Sequence, residues 1–86
     1  MEKNKQLDKK VVPNKQIDAT NLHSPIPLLR LKKELAEMSS EEILEIVCND
    51  EGSGDDIANW CYKQGHTFLG EKAEPETSSY FVQKQK

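Results

Sequence analysis

The stretch Leu22-His23-Ser24-Pro25-Ile26-Pro27-Leu28-Leu29-Arg30-Leu31-Lys32-Lys33-Glu34-Leu35 carries a loop, a helix start and a helix in immediate succession. Ser24 suits an N-cap, because its hydroxyl can accept a bond from an unpaired amide of the first turn. Pro25 then falls at the first helical position, where its missing N–H costs nothing and its fixed φ suits the helix. Leu28, Leu31, Leu35 and Met38 recur at helical spacing, which predicts a helix over 25–38. Leu29 widens that apolar stripe, and Lys32, Lys33 and Glu37 suit the wet side. Side chains at such a start face unpaired N–H groups and the positive end of the dipole. A thiol placed there would be driven toward its thiolate.

The flanking segments supply the rest of the architecture. Residues 15–19 read as a short strand with Ile17 and Ala19 on one face. Residues 42–49 read as a second strand, with Leu44, Ile46 and Cys48 on one face and Ile43, Glu45 and Val47 on the other. Ser53, followed three positions later by Asp56, marks an acid-capped helix over about 54–64 that buries Ile57, Ala58 and Cys61. Gly65 ends it. Residues 67–73 and 78–84 form an antiparallel hairpin around the turn Glu74-Pro75-Glu76-Thr77. The order β-α-β-α-β-β predicts an α/β two-layer sandwich, with a four-stranded mixed sheet and two helices on one face.

Composition narrows the function. Eighty-six residues with 35% hydrophobic content make one domain with a modest core. No run approaches a membrane span, and the start Met1-Glu2-Lys3-Asn4-Lys5 lacks the apolar stretch of a secretory signal, so a cytoplasmic location and no membrane insertion are expected. Charge divides unevenly. Residues 1–15 hold five lysines against Glu2 and Asp8, a net +3, while residues 16–86 hold seven basic and thirteen acidic side chains, a net −6. Residues 1–14 therefore read as a flexible basic tail and 15–86 as the folded domain. The acidic domain argues against direct nucleic-acid binding. Cys48 and Cys61 are too few and too far apart for a disulfide framework or a metal site, and both fall on predicted apolar faces as packing residues. His66, after Gly65, reads as a turn residue without metal co-ligands, and no cofactor is expected.

Two separated motifs carry a family resemblance. Ile17-Asp18-Ala19-Thr20-Asn21-Leu22-His23-Ser24-Pro25-Ile26-Pro27 resembles a strand, an Asp-x-x-Gly-Leu-x loop and a Cys-Pro-x-Pro helix start. Asn49-Asp50 after a strand, Asp56-Ile57-Ala58-Asn59-Trp60-Cys61 and Gly65-His66 resemble a second conserved region of the same family. Together they identify the chain, over roughly residues 15–84, as similar to the TusA or SirA-like sulfur carriers. The resemblance implies a sandwich similar to the C-terminal domain of translation initiation factor three. It also implies a persulfide held at the position of Ser24, supported by Asn21, Leu22, His23, Pro25 and Pro27. Asn21 stands where the family has glycine, a mild change because Asn tolerates a left-handed backbone. Ser24 stands where the family has its cysteine.

That second departure matters chemically. A hydroxyl is far less acidic than a thiol and has no oxygen counterpart of a relay persulfide, so this chain is expected to be inactive in sulfur transfer. From local physics alone Ser24 is a helix cap. Two origins fit the sequence: a serine introduced to inactivate the carrier, which the otherwise intact loop favours, or a natural serine in a relative that only binds partners. The partners the resemblance implies are a cysteine desulfurase, a rhodanese-like or DsrE-like protein, or a thiosulfate-uptake membrane protein. The pathways it implies are tRNA thiolation, cofactor assembly or sulfur oxidation. Arg30, Lys32 and Lys33 read either as a solvated face or as a surface steering acidic partners.

Overall fold

The computed structural model describes Leu7 and residues 10–85. Six elements follow one another: β1 (Lys15–Asp18), α1 (Ile26–Ala36), β2 (Ile43–Cys48), α2 (Ser53–Gln64), β3 (Thr67–Ala73) and β4 (Ser78–Gln83). The strands form one sheet in the order β1-β2-β4-β3, with β1 parallel to β2 and β4 antiparallel to both neighbours. The hairpin is therefore folded back so that its second strand joins β2 and its first becomes an edge.

Side-chain alternation explains the layers. Ile17, Leu44, Ile46, Cys48, Phe68, Tyr80 and Val82 lie in one buried cluster with Leu31 and Leu35 of α1 and Ile57, Ala58 and Cys61 of α2. Both helices thus cover the same face of the sheet. Phe81, paired with Glu45 across the β2–β4 ladder, is buried on the opposite face and stands outside that cluster. The central position of β4 accounts for the continuous buried run from Ser79 to Val82, where an edge strand such as β1 buries only Ile17.

Close approach of helix to sheet depends on Gly54. A Cβ at that position would lie 2.7–2.8 Å from the Tyr80 ring and hydroxyl, so only glycine lets the first turn of α2 sit on β4. At the other end Gly65 adopts φ 83 and its N–H bonds the Cys61 carbonyl, the left-handed stop that the sequence predicts. A lysine beyond β4 meets the carbonyls at and just past the end of α1. Lys84 Nζ donates to Met38 O at 2.6 Å and Ala36 O at 3.3 Å, placing a cation at the negative end of the helix.

Several boundaries and roles differ from the sequence reading. The first helix spans Ile26–Ala36 rather than 25–38, and Met38 packs half-buried beyond its end. Leu29 does not widen the core stripe: it is 52% exposed, whereas Leu28 packs against the core as its spacing predicts. The second helix begins one residue early, at Ser53. The expected tail over 1–14 falls largely outside the described residues. Within it, the Leu7 N–H donates to Glu71 O, and Asn14 exchanges two bonds with the backbone of Ile43. Among the described residues no helix is long and apolar enough to cross a membrane.

Candidate functional site

Three chain segments meet at residue 24. Asp18 closes β1 by accepting the Thr20 hydroxyl and amide at 2.7 and 3.0 Å, bonds that hold its carboxyl below the usual carboxylate range. This local turn aims the chain at the start of α1. Asn21 follows in the left-handed region at φ 68, the conformation that a glycine would supply most easily. Its N–H donates to Asn49 Oδ1 at 2.7 Å, and Asn49 Nδ2 returns a bond to Asn21 Oδ1 at 3.3 Å. Leu22 is half-buried and packs on the core. His23 is exposed, and its carbonyl accepts the Ile26 N–H.

Ser24 is exposed and does not cap α1. Its N–H donates to Asp50 Oδ2 at 3.1 Å, and its Oγ donates to Asp56 Oδ2. The N-cap is Pro25, whose carbonyl accepts the Leu29 N–H, and no side-chain bond closes the helix start. Pro27, buried, takes the second helical position, where a missing N–H is also harmless. The same displacement occurs at α2. Ser53 is not its cap; Gly52 is, and the Ser53 hydroxyl donates to Asp50 Oδ2 at 3.0 Å. The physical reason is common to both serines. A carboxylate is the strongest acceptor within reach of each hydroxyl, and the side chain is oriented by the charge-assisted bond it donates there.

Asp50 is the knot of this arrangement. Its Oδ2 takes donors from Ser24, Gly52 and Ser53, while its Oδ1 is buried without a hydrogen-bond partner among the described residues. Space at Gly52 is tight: a Cβ there would stand 3.3 Å from Ser24 Cβ, which would have to give by a few tenths of an ångström. The β2–α2 loop and the loop before α1 are thus fastened to each other around residue 24. Sequence reading singled out both loops, Asn49, Asp50 and Asp56 included, but did not foresee that the second fastens the first at residue 24. Their polar character directly after a strand was the available signal.

The profile of the sulfurtransferase TusA family matches residues 15–84, which span all six elements. The chain belongs to the TusA family of sulfur carriers. It is 37% identical over 68 residues to YrkF of Bacillus subtilis, covering 79% of this chain but only 37% of that protein. The sulfur carrier protein TusA of Allochromatium vinosum is 31% identical over 71 residues, covering 83% of this chain and 93% of that one. A SirA-like protein from Desulfitobacterium hafniense shares the fold, with a TM-score of 0.71, 20% identity, and coverage of 84% of this chain and 99% of that chain.

The other candidate residues of this TusA-family chain are spread along α1 and the core. Arg30 and Lys33 are exposed on α1, and the field of Arg30 reaches Asp18. Lys32 is exposed too, but its Nζ stands 5.7 Å from the centre of the Trp60 ring. Trp60 in turn packs against His66, with centroids 5.2 Å apart, and His66 Nδ1 accepts the Gln85 N–H. Cys48 and Cys61 are 1% and 0% exposed, and burial pushes both thiols up to about 12, with the Asp50 charge adding to the effect at Cys48. Neither has the exposure or the acidity of a sulfur acceptor.

Proposed function

We propose that this chain keeps the docking loop of a sulfur carrier and lacks the atom that would hold the sulfur. The observation that supports the reading is the position of Ser24: exposed, at the junction of two fastened loops, and at the place where the sequence resemblance puts the family's cysteine. In a carrier, a thiolate there attacks the outer sulfur of a donor persulfide. The new S–S bond forms as the donor cysteine leaves as thiolate, and no net oxidation occurs. A serine hydroxyl has no corresponding step.

The partner surface in this reading is the loop over 21–24 with the exposed side of α1. Ile26 and Leu29 are 43% and 52% exposed and lie three residues apart on one helix face, beside Arg30 and Lys33. An apolar centre edged by cations suits an acidic protein partner such as a cysteine desulfurase, a rhodanese-like or DsrE-like protein, or the cytoplasmic face of a thiosulfate-uptake protein.

Calorimetric titration against a cysteine desulfurase and a rhodanese-like protein tests the docking. This chain and its Ser24→Cys variant are expected to bind at least one of them with affinities within about twofold, because a serine and a cysteine differ little in size. Binding by the cysteine variant alone, or by neither protein, would contradict the reading.

A further inference from the structure

Residue 24 lies where two helix N-termini meet. The helix α1 starts two residues after it, and a Cβ placed on Gly52, the N-cap of α2, would stand 3.3 Å from the Ser24 Cβ. Neither start is closed by a side-chain cap bond. Two sets of first-turn amides and two positive dipole ends therefore favour negative charge at this point. The group that meets the side chain at residue 24 is nevertheless a carboxylate, Asp56, from the first turn of α2.

We propose that Asp56 is the positioning residue of this site: it fixes the side chain at position 24 through the bond that side chain donates, and it keeps the donated proton there against the pull of the two helix starts. Each helix start is equivalent to about half a positive charge spread over a turn, whereas Asp56 brings a full negative charge to hydrogen-bonding distance. Coulomb energy falls with separation, so the nearer and larger charge prevails. A hydroxyl satisfies this acceptor without ionising, which is how Ser24 is held. A thiol would donate in the same way, and its thiolate would lie against a like charge.

The surrounding groups do not reverse this balance. Asp50 faces the backbone N–H of residue 24, with its charge shared among three donors. Asp55 adds a second acid to the same turn of α2. His23 is the chain neighbour and is exposed, and Arg30, one turn along α1, acts on Asp18. The inference gives the carrier reading its proton control, but its physics concerns residue 24 alone.

The test is alkylation by iodoacetamide of Ser24→Cys, with and without Asp56→Asn, from about pH 6 to pH 10, reading the peptide that contains residue 24 by mass spectrometry. The single variant is expected to show a rate midpoint above the roughly 8.5 of an unperturbed thiol. Adding Asp56→Asn keeps an acceptor but removes its charge. The midpoint should then fall by about one unit, and the rate near neutral pH should rise about tenfold. A single-variant midpoint below the ordinary value, or profiles that coincide, would overturn the proposal. If the double variant loses its cooperative urea transition, the single-variant midpoint decides alone. Sulfur transfer plays no part in this readout, so failure of the carrier reading would leave the result standing.

Discussion

Ser24 and Ser53 show how a single side chain can read as one device and act as another. Both sit at helix starts and both suit caps, yet each donates to a carboxylate, Asp56 or Asp50, instead of accepting from an amide. The capping expectation was built on nearest neighbours, whereas these acceptors include one that lies 32 residues along the chain. The cysteines are simpler, because their environment is the core itself. Cys48 and Cys61 move from an ordinary value near 9.0 to about 12, and Tyr80 moves from 10.0 to about 12, in each case chiefly through burial. The unfolded chain releases these protons first, so it binds fewer than the folded chain at alkaline pH. Stability is thus fully retained below about pH 9 and declines as pH rises toward about 12. Urea midpoints measured through this range should fall steadily, and Cys48→Ala with Cys61→Ala should flatten the fall. Each alanine should also cost about 1–3 kcal/mol at neutral pH. A flat alkaline profile in the parent chain would contradict the burial of these groups.

At the scale of elements, contact between α2 and β4 depends on Gly54. Alanine there would gain helix propensity, worth about 1 kcal/mol in an exposed helix interior. Its Cβ would nevertheless meet the Tyr80 ring at 2.8 Å. Overpacking of that kind costs about 1–3 kcal/mol, so Gly54→Ala should destabilise on balance. Thermal unfolding of the variant checks this, and a raised midpoint would mean that the first turn of α2 stands farther from the sheet. Much of this layer was legible in the sequence. Leu31 and Leu35, then Leu44, Ile46 and Cys48, follow the helical and strand periods and are all buried. The strand limits of β3 and the turn after it agree with the hairpin reading. Strand order was not read, although the unbroken run Tyr80-Phe81-Val82 carries the mark of a central strand buried on both faces. Leu29 misled because a helical stripe has no marked edge in sequence: Leu28 turns inward as its spacing predicts, but only packing decided that Leu29 turns outward. The tie between Asn21 and Asn49 and the grip of Asp50 on Ser24 join residues 26–28 positions apart, beyond the reach of any local pattern.

Across the whole molecule, the acidic domain presents its residue-24 loop beside a small basic and apolar strip. Arg30→Glu with Lys33→Glu should weaken docking to a sulfur-transfer protein and reduce its salt dependence, since both side chains are exposed near the proposed interface. Lys32 is a poorer choice for this test, because reversing it also removes the contact with Trp60. Titrations at low and at physiological salt would read the effect, and unchanged binding at both would place the interface elsewhere. The central claim is that one atom at residue 24 separates this chain from a working carrier. Incubation of the parent and of Ser24→Cys with a persulfide donor, followed by peptide mass spectrometry, tests it most directly. The account predicts one added sulfur on the residue-24 peptide of the variant and none on that peptide of the parent. No gain in the variant, or equal labelling of both proteins at Cys48 or Cys61, would contradict it.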